Sequence, residues 1–220
     1  MDITKNDGDL GELLMILGDL YVPNRSLVLP LCFKKLLKTD KIKRVICTGN
    51  VGSKEMYDEL LEISPTLHIV QGDYDIRSKY PEQLIISIGN YKIGVINGYQ
   101  IPSWGNKELL LKRAMEMEVD LLIHGHSHIS DIYKYSGKVF VNPGSATGAF
   151  QPWQPNAIPT FMLMAIQGQK IVIYVYEDHN GEAQVIMTEV DQLENEKVIE
   201  TSAQLVMPQV NLDINHHEVH

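Results

Sequence analysis

The stretch Leu121-Leu122-Ile123-His124-Gly125-His126-Ser127-His128 carries three of the chain's eight histidines at alternate positions. The apolar run before them reads as a buried strand, and Gly125 as the turn that ends it. Imidazoles at the mouth of a strand can point their nitrogens into one cleft, where they bind metal or move protons. The alternative is a polar strand end with one or two hydrogen-bonded histidines, and only the rest of the chain decides between the two.

Upstream, four more apolar segments end in polar, glycine-containing turns. Residues 13–17 run into Gly18-Asp19, 45–48 into Gly49-Asn50, 67–70 into Gly72-Asp73, and 92–96 into Asn97-Gly98. The last of these pairs with 84–88 through Gly89-Asn90, a hairpin signal. Helices are predicted over 31–37, after Ser53 with Met56, Leu60 and Ile63 on one face, and after Asn106 with Leu110, Ala114 and Met117 on one face. In open α/β sheets, sites form outside the carboxyl ends of the strands. Five polar turns converging there outweigh any one of them.

Downstream the character is all-β. Strands are predicted over 131–135, 138–141, 160–166, 171–176 and 183–189, with turns at Gly137, Gly168 and Asn180-Gly181. This half is expected to form a second sheet packed face to face on the first. The predicted fold class is α/β: a four-layer αββα sandwich of two packed mixed sheets flanked by helices. The domain is expected over 12–190. Residues 1–11 read as a disordered leader. Residues 191–220 carry -5 of the formal net charge of -9 and read as a disordered acidic tail or a docking segment. His216, His217 and His220 in it read as incidental.

Composition excludes several classes. With 44% hydrophobic and 21% charged residues, the chain suits one globular domain with a sizeable core. The negative balance and scattered basic residues argue against a nucleic-acid binder. Two cysteines, Cys32 and Cys47, make no disulfide framework and fit a reducing cytosol. No apolar run approaches the ~20 residues that span a bilayer, so a membrane role is expected to be peripheral.

A two-metal hydrolase needs carboxylate, amide and imidazole ligands around two ions about 3.5–4 Å apart, and such a mixed set suits Zn or Mn. The five turns supply acid, amide, acid, amide and paired histidines in order. Here the sequence resembles the calcineurin-like metallophosphoesterases, whose pattern is Asp-x-His, Gly-Asp, Gly-Asn, a lone His, then Gly-His-x-His. Gly125-His126-Ser127-His128 matches the last element in full, and Asn142-Pro143-Gly144-Ser145 matches the loop that follows it in the small phosphodiesterase branch. By position the resemblance gives Asp19 and His128 to a first metal, Asp73 and His126 to a second, Asn50 as the bridge, and Asn97 in place of the lone His.

Three departures point away from catalysis. Tyr21 stands where Asp-x-His has its His, Asn50 where the bridge is an Asp, and Asn97 where a His is expected. Tyr99 stands where a further His often lies near the phosphate. A neutral amide bridge compensates two dications less than a carboxylate does, and a protonated phenol is a poor ligand. The reading is a vestigial site holding Zn or Mn weakly, or no metal, with no catalytic residues. Without metal, Asp19 and Asp73 would cap loops through backbone N–H groups, and His124 reads as a core histidine. The resemblance further implies a scaffold of an endosomal cargo-retrieval coat that clasps the C-terminal part of a helical-solenoid subunit. That face would use Tyr21, Ile101 and Pro102, with Trp104 in the core. Regulators such as Rab GTPase-activating proteins would take an apolar patch at Leu163, Tyr174 and Tyr176. The competing expectation is a metal-dependent phosphodiesterase.

Overall fold

The computed structural model describes residues 12–76 and 79–190, and the backbone of 199–200. The leader over 1–11 and nearly all of the acidic tail, with its histidines, lie outside the described residues.

Strand β1 (Glu12–Leu17) opens the domain. It is apolar on both faces: Leu14 and Ile16 enter one core, Met15 and Leu17 another. Such a strand needs neighbours on both sides and cover on both faces. Strand β2 (Arg44–Cys47) lies parallel on one side, with β3 (Leu67–Ile69) parallel beyond it. On the other side β9 (Thr160–Gln167) pairs antiparallel, Met15 opposite Leu163. Strands β10 (Lys170–His179), β11 (Glu182–Val190) and β12 (Ile199–Glu200) complete a seven-stranded sheet. The second sheet has the order β4-β5-β6-β8-β7. Its members are β4 (Gln83–Ile88), β5 (Tyr91–Ile96), β6 (Leu121–Ile123), β7 (Ser130–Tyr135) and β8 (Lys138–Pro143).

The two halves of the chain are therefore interleaved, which corrects the expected second sheet made from the β-rich half. Each sheet joins strands from both halves: β9 to β12 extend the parallel set β1-β2-β3 antiparallel, whereas β8 joins β5 and β6 in parallel and β4 and β7 pair antiparallel at the two edges. The expected layers hold. One core lies between the sheets, built from Leu14, Ile16, Ile93, Val95, Leu121, Ile123, Met162 and Ile173 among others. Helices α1 (Leu31–Leu36) and α2 (Lys54–Ile63) cover the outer face of the first sheet, where Phe33 meets Phe161 edge-on at 4.7 Å. Helix α3 (Lys107–Glu116) covers the second.

The helices start where the sequence says. Ser53 Oγ accepts the Met56 N–H at 3.2 Å, and Asn106 Oδ1 accepts the Leu109 N–H at 3.0 Å, each satisfying an end donor that would otherwise stay unpaired. Met56, Leu60, Leu110, Ala114 and Met117 are buried along the predicted stripes. No helix among the described residues is long and apolar enough to cross a membrane.

Candidate functional site

Strands β1, β2 and β3 run parallel in one sheet, and β5, β6 and β8 in the other. Their carboxyl ends meet at one mouth of the sandwich. The turn after β1 is zipped to the turn after β2: the Asp19 N–H bonds Gly49 O at 3.0 Å and the Tyr21 N–H bonds Asn50 O at 2.7 Å. Across the sheets, the loop after β8 straps the same turn. Ser145 Oγ donates to Asp19 O and Thr147 Oγ1 to Leu20 O, both at 2.7 Å, and the Ala146 N–H bonds Gly18 O at 3.0 Å. This is what the loop that opens with Asn142-Pro143-Gly144-Ser145 does here. A Cβ on Gly18 would fall 1.7 Å from Thr48 Oγ1, so only glycine lets these strand ends approach.

All six sequence-predicted ligand positions reach this mouth. Asp19, Asn50 and Asn97 have no exposed surface, His126 and His128 are buried, and Asp73 is partly open. The Asn50 amide is the hub. Its Nδ2 lies 2.6 Å from Tyr21 Oη, 2.9 Å from Asp19 Oδ1 and 3.0 Å from Asp73 Oδ1. Its Oδ1 accepts the Tyr74 N–H at 2.9 Å, which fixes which end of the amide faces inward. Asp75, overlooked in the sequence, holds this loop from behind. Its buried Oδ2 accepts the Asn50 N–H at 2.6 Å and the Gly72 N–H at 3.1 Å.

Five of the nine non-glycine residues with positive φ among the described residues sit here: Asp19, Tyr21, Asn50, His126 and His128. Asp, Asn and His tolerate that region, whereas for a bulky residue such as Tyr21 it is an outlier. Such positions cost about 1 kcal/mol or more each and persist only where their surroundings over-determine them. Hydrogen bonds supply the constraint. The His126 N–H bonds Asp19 Oδ2 at 2.7 Å. His128 Nδ1 faces Ala149 O at 2.6 Å and so carries the proton. His128 Nε2 is then an acceptor, 3.3 Å from the Gln151 amide nitrogen. Tyr21 Oη donates to Asp73 at 3.3 Å, and Arg25 lies 4.1 Å over the Tyr21 ring.

Burial shapes the charges. It raises the Asp19 carboxyl above its ordinary range, against the pull of His128 and the Asn50 donor. It also opposes ionisation of Asp73, but His126 and Asn50 prevail and hold that pKa to about 2. Burial, then Asp19 and Asp73, push the Tyr21 phenol up, so it stays protonated. Burial lowers His128 and takes His124 down to about 4. His124 is the buried core histidine expected, with Nδ1 3.4 Å from Asn142 Nδ2 and no partner for Nε2 among the described residues.

These donors do not fit a two-metal centre. The bridging position needs a lone pair and presents the Asn50 NH2 group instead. Tyr21 offers a protonated phenol, and His128 Nε2 faces an amide donor. No three His, Cys, Asp or Glu among the described residues are grouped to hold a metal. The second half of the site is less closed. Both ring nitrogens of His126 and the Oδ1 of Asn97 lack a hydrogen-bond partner among the described residues, and His126 Nδ1 lies 3.6 Å from Asp73.

The surface around the mouth corrects three expectations. Ile101 is buried in the core beneath α3, and Tyr21 is buried within the site, so neither side chain offers contact area. Trp104, expected in the core, is 47% exposed. The turn places Ile101 inward, and Trp104 instead closes over His126, ring centroids 4.5 Å apart, and packs at a tilt against Trp153 at 4.3 Å. Trp153, Phe150 and Tyr74 are also exposed, as is Pro102. The sequence signal missed was the pair of tryptophans in two loops that flank the histidine motif. On the outer face of the first sheet, Leu163, Tyr174 and Tyr176 are half-buried, and Tyr176 stacks on Phe161 at 4.6 Å.

Two sheets with a strand-end constellation of this order define the class, and residues 13–169 match the family model of the calcineurin-like phosphoesterase superfamily domain; the chain belongs to that superfamily. Within it the chain is similar to vacuolar protein sorting-associated protein 29 of Schizosaccharomyces pombe, 37% identical over 182 residues that span 79% of this chain and 95% of that protein. Among solved structures it is similar to Vacuolar Protein Sorting 29 from Cryptosporidium parvum, with 40% identity, TM-score 0.79, and 82% and 98% of the two chains covered. It is also similar to wild-type Vps29 from Entamoeba histolytica complexed with zinc, with 40% identity, TM-score 0.75, and 82% and 99% covered.

Proposed function

We propose that this protein is a non-catalytic scaffold subunit of retromer, the endosomal cargo-retrieval complex. In this reading it serves retrograde endosome-to-Golgi transport from the cytoplasm, peripheral to the endosome membrane. It binds the C-terminal part of the helical-solenoid subunit, vacuolar protein sorting-associated protein 35, through the face at the strand ends. The observation that carries the reading is the exposed aromatic surface of Trp104, Trp153, Phe150 and Tyr74 around a site whose interior is filled by Tyr21 and the Asn50 amide. Clustered exposed aromatics beside a buried, filled centre are what interface hot spots are made of. Regulators such as Rab GTPase-activating proteins take the half-buried patch at Leu163, Tyr174 and Tyr176. Any zinc or manganese is held weakly. Calorimetry of the full chain against the C-terminal half of the solenoid subunit tests this. Trp104→Ala with Trp153→Ala should weaken binding by about 100-fold or more, the loss of two hot-spot residues; unchanged affinity overturns it.

A second reading, a metal-dependent phosphodiesterase, is favoured by the unpartnered Asn97 Oδ1 and the unpartnered His126 nitrogens, one of them 3.6 Å from Asp73. Manganese-dependent hydrolysis of an aryl phosphodiester that His126→Ala abolishes would establish it and displace the scaffold-only reading.

A further inference from the structure

We propose that Tyr21 and Asn50 together replace the metal as the tie that holds this face, so that its shape does not depend on a divalent cation and Tyr21 is the residue that keeps cations out. The proposal goes beyond the scaffold reading and stands whichever partner the face takes.

Two buried or half-buried carboxylates, Asp19 and Asp73, point at one centre. Left alone they would repel and leave their loops untied. What faces them is an amide NH2 group within 3.0 Å of both and a phenolic O–H that also donates to Asp73. These are neutral donors at the point where a cation would sit. Their orientation is built in. The Tyr74 N–H claims the amide oxygen, so Asn50 cannot turn a lone pair toward an incoming ion without leaving that donor unpaired, which is costly in a buried site. The phenol is fixed equally well. Its oxygen lies 2.6 Å from Asn50 Nδ2 and 3.4 Å from Gln151 Nε2, and its ring packs against Arg25 at 4.1 Å and His128 at 5.4 Å. The Arg25 guanidinium on that ring adds a positive charge beside the centre, which further disfavours a dication.

The same geometry says what reverses the arrangement. An imidazole at position 21 would stand among Asp19, Asp73 and His128, a set of two carboxylates and two imidazoles that suits zinc or manganese. Tyr21→His should therefore turn a cation-independent site into a cation-binding one, and Tyr21→Phe should remove the tie without supplying a ligand.

The test is thermal unfolding of the full chain in EDTA, in manganese chloride and in zinc chloride, with zinc titrated by calorimetry. A metal stabilises a protein only through its affinity for the folded state, so wild type should unfold within about 1 °C of the same temperature in all three. Tyr21→His should bind zinc at least about tenfold tighter than wild type and unfold several degrees higher with zinc than with EDTA. Both proteins carry the same histidines at 216, 217 and 220, so the difference between them reports the site. Tyr21→Phe should unfold below wild type in EDTA and gain nothing from zinc. A wild-type protein that loses stability in EDTA, or gains as much from zinc as Tyr21→His does, overturns the proposal, and that measurement needs no variant to fold. Wild-type stability in Tyr21→Phe overturns it as well.

Discussion

Replacing Asp75 by alanine should be among the most damaging single changes near the site, although Asp75 does not face the mouth. Its Oδ2 accepts the Asn50 N–H at 2.6 Å and the Gly72 N–H at 3.1 Å in a buried setting. Hydrogen bonds to a charged group are worth about 1.5–3 kcal/mol each, and leaving the buried donors unpaired forfeits that stabilisation. Two such bonds put the loss near 4 kcal/mol. For a domain of this size 1 kcal/mol moves the melting temperature by about 2–4 °C, so Asp75→Ala should melt about 10 °C lower. Burial raises the Asp75 pKa, which means the charge itself is disfavoured there. Asp75→Asn keeps an acceptor oxygen without the charge and should recover at least half of the loss. Calorimetric melts of the two variants against wild type, with the exposed Asp58→Ala as a neutral control, measure both numbers. A drop of less than about 3 °C for Asp75→Ala, or equal damage from Asn and Ala, would refute the backbone-clamp reasoning.

Two further outcomes are expected. Gly18→Ala should cost about 3 kcal/mol through overpacking, because its Cβ would lie 1.7 Å from Thr48 Oγ1. That oxygen has no hydrogen-bond partner among the described residues, so Thr48→Ala should rescue part of the loss, and strictly additive urea-denaturation energies would contradict this. For His124, burial lowers the pKa to about 4 in the fold from the ordinary value near 6.5. Between those limits the unfolded chain takes up a proton that the folded chain refuses, so stability falls as pH drops. The fall attributable to His124 should be about 2 kcal/mol from pH 7 to pH 5, and His124→Gln should flatten the profile.

The elements were legible because their signals are local. Ser53 and Asn106 cap the helices the sequence marks, and the strands from β1 to β11 follow the apolar runs closely. Sheet membership was not legible, because nothing local in 160–166 says that it pairs with β1 rather than with β7 or β8. Strand β12 has no periodic signal at all; it adds to the β11 edge through Glu189 and Thr188 opposite Ile199 and Glu200, and backbone pairing needs no side-chain pattern. At the site, residue identity and order marked six residues that the fold brings to one mouth. What they could not convey is orientation. That Asn50 turns its NH2 inward depends on where the Tyr74 N–H lies, and that Ile101 points in while Trp104 lies out depends on the turn between them.

The interleaving of the sheets sets the order in which the domain can be made. Strand β1 has only β2 beside it until β9 arrives, and Met15 meets Leu163 across about 150 residues of chain. Pairings that span so much sequence close large loops before they return any stability and are slow to form. On the ribosome, β1 must wait with one edge open and its two-faced apolar surface half covered until nearly three quarters of the chain has emerged. A nascent chain in that state exposes apolar surface and an unpaired strand edge of the aggregation-prone kind, and truncation before Thr160 would leave β1 without its second neighbour.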